Sequence, residues 1–206
     1  MKKKPLFIVF EGIDGSGKST QAALLFKRMR EEGEQVHLTC EPTTGPIGSL
    51  IRNIFSGRIE GDHRTIAGLF VADRLDHLLN TTDGIIEKLN QGTHVISDRY
   101  CLSSYAYQGT HMPMDWVIEA NSQATALLKP DVHIYIDIDP KVSMERMSRS
   151  RSSAEMYETL DNLKKVRDNY LIAIEKISSE EKVVVLDGNK DADDLADEIF
   201  ALVEAM

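Results

Sequence analysis

The chain has 206 residues and a formal net charge of −9 at pH 7. This length suffices for one α/β domain with a substantial core, so we predict a single domain over residues 1–206. The acidic balance argues against a nucleic-acid-binding surface, which depends on clustered lysine and arginine.

No apolar run approaches the length of a membrane span, and the apolar stretch after residues 2–4 is too short for a signal peptide. Cys40 and Cys101 form no CxxC pair, and the six histidines form no HxxxH pair. We therefore expect no membrane partner, a cytoplasmic location, reduced cysteines and no dedicated transition-metal site.

Five apolar segments predict strands, and helical stretches separate them. The strands are expected at residues 5–10, 36–40, 93–97, 132–136 and 182–186. The helices are expected at 18–31, 46–56, 62–80, 113–127, 154–178 and 190–205. This alternation predicts an α/β fold in which helices cover both faces of a five-stranded parallel sheet.

Acidic residues follow four of these strands at or just beyond their carboxyl ends, namely Asp14, Glu41, Asp98 and Asp137. The carboxyl ends of parallel strands meet at one edge of the sheet, where ligands of such folds bind. The sequence therefore predicts a polar site at this edge.

The first predicted strand leads into GIDGSGKS at residues 12–19, which fits the pattern GxxxxGK[ST]. Glycines allow the backbone to curl into a cradle of N–H donors, and a helix N-terminus follows. The pattern predicts a P-loop NTPase fold, with Lys18 at the β- and γ-phosphates of ATP and Ser19 on Mg²⁺. The predicted ATP-binding residues are Gly12, Ile13, Asp14, Gly15, Ser16, Gly17, Lys18, Ser19 and Thr20.

The third predicted strand ends in Ser97-Asp98-Arg99-Tyr100. Asp98 stands where a P-loop protein needs a carboxylate to hold Mg²⁺, directly or through water. Arg99 can hold a phosphate bidentately. A surface ion pair is the alternative for an isolated Asp-Arg dipeptide, but the P-loop strand is expected next to this one, which favours the functional interpretation.

Residues 145–153 interleave arginines with serines and lack an apolar stripe. They predict a mobile basic lid, at approximately residues 145–154, that brings Arg146, Arg149 and Arg151 to a transferring phosphoryl group. Two phosphorylated substrates repel each other, and the cations of the lid, Lys18 and Arg99 offset that repulsion. We therefore predict phosphoryl transfer to a phosphorylated acceptor.

Five segments in order resemble the thymidylate kinase family: FEGIDGSGKSTQ, Glu41-Pro42, FVADRLDH, DRYCLSSYAYQG and YETLDNLKKVRDNY. The resemblance spans most of the chain. It implies that ATP phosphorylates dTMP to dTDP, for dTTP biosynthesis, by direct in-line transfer without a side-chain general base. It also implies a homodimer packed through helices. The apolar stretch at 66–72 is compatible with such an interface, but a buried helix would show the same pattern.

The resemblance also implies a dTMP site. Phe70 would stack on thymine, Arg74 would bind a base carbonyl, and Arg52 and Arg99 would bind the acceptor phosphate. Asp14 would lie near the 3′-hydroxyl. The full implied set is Asp14, Glu41, Arg52, Phe70, Arg74, Arg99, Ser103, Ser104, Tyr107 and Gln108.

In this set, Tyr107 would crowd the place of a ribose 2′-hydroxyl. Without the resemblance, Phe70 would be assigned to core packing and Arg74 to a solvated helix face. Some members carry an arginine where this chain has Gly15, so the resemblance implies that the lid supplies that charge.

Three alternatives differ from this interpretation. The first is another nucleoside monophosphate kinase that uses dUMP, UMP or AMP, and the second is a P-loop binding module without catalysis. The third is a GTPase-like switch, suggested by Asn189-Lys190-Asp191, but the guanine-reading pattern NKxD requires an aspartate where Ala192 stands.

Overall fold

Five parallel strands form the centre of the chain in the computed structural model, which describes residues 4–150 and 159–206. The strands are β1 (Phe7–Glu11), β2 (Val36–Cys40), β3 (His94–Asp98), β4 (Val132–Asp137) and β5 (Val183–Asp187). Their order in the sheet is β2-β3-β1-β4-β5. β1 lies at the centre of this order. All five of its side chains are buried, as is typical of a parallel strand covered on both faces. The predicted parallel sheet is confirmed.

Ten helices cover the sheet within the described ranges. They are α1 (Lys18–Glu31), α2 (Pro46–Phe55), α3 (His63–Leu79), α4 (Ile85–Asn90), α5 (Cys101–Gln108), α6 (Met114–Ala120), α7 (Ser122–Leu127), α8 (Pro140–Ser150), α9 (Leu160–Ile177) and α10 (Ala192–Glu204). None of the helices in the described residues is both long and apolar enough to span a membrane.

The side chains of β1 alternate between two core clusters. Phe7 and Val9 belong to the cluster that includes residues of α5 and α9. Ile8 and Phe10 belong to the cluster that includes residues of α1 and α10. A buried strand that packs on both faces has this pattern, and it leaves the carboxyl end of β1 free to turn into the P-loop.

The register of the sheet places the acidic residues at one edge. Phe10 of β1 pairs with Asp98 of β3, so Asp98 lies beside the entry to the P-loop. Asp14 and Glu41 follow β1 and β2, and Asp137 ends β4. The predicted polar edge is therefore present in the fold.

The predicted helix at 113–127 is divided into α6 and α7 at Asn121. This residue is buried, and its side-chain amide nitrogen, Nδ2, donates to the carbonyl oxygen of Val117 at 2.8 Å. A side chain that bonds to its own helix competes with the continuing backbone ladder, which explains the break. α4 and α5 were not predicted. Every residue of α5 is buried, so this helix has no polar face opposite an apolar stripe, and the stripe is the pattern that identifies a helix in a sequence.

The predicted lid is helical wherever the structure describes it, because residues 145–150 form the last turns of α8. Pro140 occupies the first position of this helix, Asp139 accepts from the N–H of Lys141 at 2.7 Å, and Met147 is buried. The residues that start α8 thus lie before the arginine-rich segment. That segment itself has no apolar stripe, so its sequence alone did not predict a helix. Residues 151–154 of the lid, with Arg151, lie outside the described residues, as does the predicted helical start at 154–158.

Core packing on the sheet should dominate stability. Ile134 of β4 is fully buried, whereas Ile172 of α9 is 47% exposed. We expect Ile134→Ala to lower the free energy of unfolding by about 2–5 kcal/mol, because it removes buried methyl groups and leaves a cavity. The control Ile172→Ala should change it by about 0.5 kcal/mol or less. Urea unfolding followed by circular dichroism measures both, and equal losses would contradict this picture of the core.

Candidate functional site

The P-loop joins β1 to α1 and borders a cavity of about 740 Å³. Gly15 and Gly17 have φ angles of 76° and 97°, which non-glycine residues rarely adopt, so the loop can curl tightly ahead of Lys18, the first residue of α1. The Ser16 hydroxyl is buried and has no hydrogen-bond partner among the described residues. Residues 14–21 and 188–192, together with Arg146, Met147 and Leu195, line the cavity.

Backbone N–H groups at a helix N-terminus and an unpaired hydroxyl suit an anion. Of the predicted ATP-binding residues, Asp14 to Thr20 line this cavity, whereas Gly12 and Ile13 do not. The side chain of Ile13 differs, because it packs in the core cluster of α5 and α9.

Helix α8 packs directly against the P-loop at Gly15. A Cβ atom on Gly15 would lie 2.8 Å from the carbonyl oxygen of Ser143, and the Ser143 hydroxyl donates to the carbonyl oxygen of Asp14. An arginine therefore does not fit at position 15 in this packing. The same helix places Arg146 at the cavity, with its Nη2 atom 2.9 Å from the carbonyl oxygen of Gly188.

Asp14 contacts both of the predicted phosphate-binding cations. Its Oδ1 atom lies 2.5 Å from Nη2 of Arg99 and 3.6 Å from Nζ of Lys18. The Tyr107 hydroxyl donates to Oδ2 of Asp14 at 2.8 Å. Burial alone would raise the pKa of Asp14, but the charges of Arg99 and Lys18 outweigh it and hold that pKa below its usual value. Asp14 is therefore a carboxylate shared by two cations.

Lys18 is itself buried, and burial together with the charge of Arg99 lowers its pKa. The carboxylates of Asp98 and Asp14 oppose this shift. Lys18 and Arg99 are thus two buried cations that share one carboxylate, and both carry donors that suit a phosphate group.

Arg99 has a strained backbone. Its φ angle of 79° lies in the left-handed region, which costs a non-glycine residue about 1–3 kcal/mol. The chain holds it there, because its N–H donates to the carbonyl oxygen of Phe10 at 2.8 Å and its own carbonyl oxygen accepts from the Ser97 hydroxyl at 2.8 Å. Its guanidinium carbon lies 4.8 Å from the centre of the Tyr107 ring. Strain of this kind occurs at functional sites.

Ser19 and Asp98 meet as the sequence predicts. The Ser19 hydroxyl donates to Oδ2 of Asp98, while Oδ1 of Asp98 is buried and has no hydrogen-bond partner among the described residues. A hydroxyl and a carboxylate are the oxygen ligands that Mg²⁺ prefers, and an orphaned carboxylate oxygen beside the P-loop fits such an ion.

Arg74 is almost completely buried, with 1% of its surface exposed, so it does not lie on a solvated face. Each of its five N–H donors has a protein acceptor within the described structure. The bonds run to Glu41 Oε2 twice, at 2.9 and 2.6 Å, to the Tyr100 carbonyl at 3.0 Å, to the Ser104 hydroxyl at 3.0 Å and to Asn121 Oδ1. A contact with a base carbonyl would thus require one of these bonds to be shared or exchanged.

Glu41 is buried between Arg74 and His77. Its second oxygen lies 3.1 Å from Nδ1 of His77, whose Nε2 lies 2.7 Å from the Thr39 hydroxyl. Burial would raise the pKa of Glu41, but Arg74 and His77 lower it overall. The carboxylate therefore joins α3 to the end of β2, and its predicted role as a lining of the acceptor pocket stays a prediction.

The remaining predicted acceptor residues lie in different surroundings. Phe70 packs against Phe55, with ring centres 6.0 Å apart, in the small cluster between α2 and α3. Arg52 donates to the carbonyl oxygens of Pro42, at 2.9 Å, and Thr43. The buried side-chain oxygen of Gln108 has no partner among the described residues.

Of the three lid arginines, the structure brings only Arg146 to the cavity among the residues it describes. Arg149 is exposed near the end of α8, and Arg151 lies outside the described residues. The catalytic roles of Arg149 and Arg151 stay predictions.

Several residues that organise the site were missed from the sequence. The buried Asn121 binds Arg74, His77 binds Glu41, and Ser143 binds the P-loop. Glu11 and Tyr170 contact the residues around Arg99. Only Glu11 carried a signal, because an acidic residue at the end of an apolar strand requires buried partners.

Known proteins match nearly the whole chain. The family model described as thymidylate kinase matches residues 10–199. A probable thymidylate kinase from Thermococcus kodakarensis is 37% identical over 211 aligned residues, which cover 98% of both chains. A thymidylate kinase from Leptospira borgpetersenii is 34% identical and covers 97% of this chain and 94% of its own. With the P-loop, the strained Arg99 and the five-stranded parallel sheet, these matches show that the chain belongs to the thymidylate kinase family.

Proposed function

We propose that this chain transfers the γ-phosphoryl group of ATP to dTMP and forms dTDP, a step in dTTP biosynthesis. The observation that carries the proposal is the arrangement of Lys18 and Arg99 on one carboxylate, Asp14. Lys18 lies at the cavity of the P-loop, and Arg99 lies at the start of α5, the helix that carries Ser103, Ser104, Tyr107 and Gln108. One cation thus serves the donor and the other serves the acceptor.

The mechanism follows from charge and position. The acceptor oxygen of dTMP is already anionic, so it can attack the γ-phosphorus in line without a side-chain general base. Backbone N–H groups of the P-loop and Lys18 hold the donor phosphates, and Arg99 holds the acceptor phosphate against the electrostatic repulsion between the two nucleotides. Arg146 of α8 adds a guanidinium to the cavity that holds the donor.

Mg²⁺ is the proposed metal, held by Ser19 and Asp98 together with the phosphates of ATP, and it supplies charge neutralisation when bound. The unpartnered Oδ1 atom of Asp98 supports this assignment. The hydrogen bond between Ser19 and Asp98 also supports it, because it brings a hydroxyl and a carboxylate together beside the P-loop.

The proposed acceptor site lies next to Asp14. Tyr107 is buried, and its hydroxyl is fixed by Asp14 and by Nη2 of Arg99, 3.3 Å away. A ring held in this way gives the pocket a rigid wall, which supports the steric exclusion of a ribose 2′-hydroxyl. The proposed pocket also includes Glu41, Arg52, Phe70 and Arg74 at its α2 and α3 side.

We propose that the protein acts in the cytoplasm, and the arrangement of Cys40 and Cys101, which form no disulfide with each other, is compatible with a reducing compartment. A homodimer packed through α2 and α3 is proposed as well. Its support is the exposure of Gly68, Ala72 and Leu79 on α3 and of Leu50 on α2, two helices that contact each other.

Removing either cation should abolish most of the turnover. We expect Lys18→Ala and Arg99→Ala each to lower kcat with ATP and dTMP by about 100-fold or more, because each takes away charge that stabilises the transferring phosphoryl group. The control is Lys27→Ala, whose side chain is 72% exposed on the same helix as Lys18. ADP release in a coupled assay measures the rates, and near-normal turnover of either variant would remove that residue from the mechanism.

The ring of Tyr107 should decide sugar selectivity. We expect Tyr107→Ala to reduce the preference for dTMP over its ribose counterpart, 5-methyluridine monophosphate, by about tenfold or more, because the variant makes room for a 2′-hydroxyl. Tyr107→Phe keeps the ring and should retain the preference. The ratio of the two kcat/KM values is the measurement, and an unchanged ratio for Tyr107→Ala would contradict the steric role.

Charge on the exposed face of α3 should break the proposed dimer. We expect the wild-type chain to sediment as a dimer and Ala72→Arg to sediment as a monomer, because the interface would bury an unpaired guanidinium. Glu31→Arg, at an exposed position on α1, is the control and should remain dimeric. A monomeric wild type at micromolar concentration would contradict the proposal.

A further inference from the structure

The carboxyl group of Glu11 is fully buried at the end of β1, directly before the P-loop. It faces α5 and α9 and accepts four hydrogen bonds. The donors are the N–H groups of Tyr100 at 3.0 Å and Ser103 at 3.3 Å, and the hydroxyls of Ser103 at 2.5 Å and Tyr170 at 3.1 Å. Burial raises the pKa of Glu11, and the hydroxyl of Ser103 and the charge of Arg99 counteract that rise. Four donors are the compensation that a buried carboxylate requires.

Two of these donors link Glu11 to Arg99. Nη1 of Arg99 lies 3.0 Å from the Ser103 hydroxyl and 3.3 Å from the Tyr170 hydroxyl. A guanidinium can only donate and a carboxylate can only accept. Both hydroxyls therefore accept from Arg99. The Ser103 hydroxyl donates to Glu11, and the Tyr170 hydroxyl lies within hydrogen-bond distance of Glu11 and, at 2.8 Å, of the Ser103 hydroxyl, so the two hydroxyls connect the cation to the anion.

Glu11 also acts on the backbone around Arg99. Its Oε1 atom binds the N–H of Tyr100, the residue that follows the strained Arg99, while the N–H of Arg99 binds the carbonyl oxygen of Phe10. The last two residues of β1 thus hold both peptide groups that flank the left-handed residue. The same carboxylate controls the backbone and the guanidinium.

We infer that Glu11, acting with Tyr170, is a positioning residue that holds the guanidinium of Arg99 ready for the acceptor phosphate. Asp14 binds Nη2 of Arg99, and the hydroxyls that Glu11 orients bind Nη1, so the guanidinium is fixed at two of its nitrogens. The other contacts of the group are longer, since Nη1 lies 3.3 Å from the carbonyl oxygen of Gly12 and Nη2 lies 3.3 Å from the Tyr107 hydroxyl, so the Ser103 hydroxyl at 3.0 Å is the nearest partner of Nη1. The inference rests on the proposed function, since it assigns Arg99 to the phosphate of dTMP.

Two conservative variants test the inference. Tyr170→Phe removes one hydroxyl and keeps the ring, and Glu11→Gln removes the charge with little change of shape. We expect kcat/KM for dTMP to fall about tenfold in Tyr170→Phe and about 100-fold in Glu11→Gln, while KM for ATP stays within about twofold, because only the acceptor-side cation is misplaced. If Glu11→Gln does not fold, Tyr170→Phe carries the test alone.

Tyr135→Phe is the matched control. Tyr135 is buried against Tyr170, with ring centres 5.0 Å apart, but its hydroxyl binds Asp137 at 3.3 Å. A role limited to packing or stability would affect Tyr135→Phe and Tyr170→Phe alike. We expect the control to keep kcat/KM for dTMP within about twofold of wild type.

A double-variant comparison separates positioning through Arg99 from a general effect. In an Arg99→Lys background, Tyr170→Phe should lower kcat/KM by less than about twofold, because the guanidinium it positions is already gone. A full tenfold loss in that background, or a parallel rise of KM for ATP, would overturn the inference. Normal kinetics of Tyr170→Phe in an active wild-type background would also overturn it and leave the proposed function intact. A folded wild type that leaves dTMP unphosphorylated would overturn both.

Discussion

The neutralisation of two buried cations by one carboxylate is the constraint on which the site depends. Lys18 and Arg99 both contact Asp14, and the repulsion between the two cations contributes to the lowered pKa of Lys18. Removing charged groups from water is costly unless partners replace the solvent. Asp14 supplies part of that compensation before substrates bind, and Lys18 and Arg99 are the cations that can offset the repulsion between two phosphorylated nucleotides.

The same requirement for compensation explains the polar groups elsewhere in the core. Arg74 is fully satisfied by Glu41, Asn121 and neighbouring oxygens, and the pair of Arg74 and Glu41 joins α3 to the end of β2. Glu11 is satisfied by groups of α5 and α9. These buried networks hold the helices that carry the proposed acceptor site against the carboxyl edge of the sheet, so the site is rigid where charge must be placed accurately.

Close packing around the P-loop sets a second limit. A Cβ atom at Gly15 would lie 2.8 Å from the carbonyl oxygen of Ser143 of α8, and the φ angle of 76° at that position would strain any other residue. The positive charge that some family members place there therefore cannot be accommodated in this chain. Arg146 occupies the neighbouring face of the same helix and reaches the cavity instead. The packing of α8 against the P-loop thus both requires glycine at position 15 and brings Arg146 to the cavity.

Contiguous motifs made much of the site predictable. The functional groups of the P-loop and of the dipeptide Asp98-Arg99 lie within a few consecutive residues. Both motifs are found at the carboxyl ends of strands, β1 and β3 respectively. Their partners could not be predicted, because they come from distant parts of the chain. Tyr170 contacts Glu11 across 159 residues, and Asn121 contacts Arg74 across 47. Apolar periodicity reports on one segment at a time, and it contains no information on which buried polar groups will meet.

The sequence by itself determined the alternation of strands and helices, the parallel sheet, the phosphate-binding loop and the family, since each depends on local pattern or on motif order. Only the tertiary structure decided three features. Residues 145–150 of the arginine-rich segment form the last turns of α8, the helix predicted at 113–127 is divided at Asn121, and Arg74 is buried. The reason is physical. Burial of a polar side chain is stable only when partners from other elements surround it, and those partners exist only after the chain has folded.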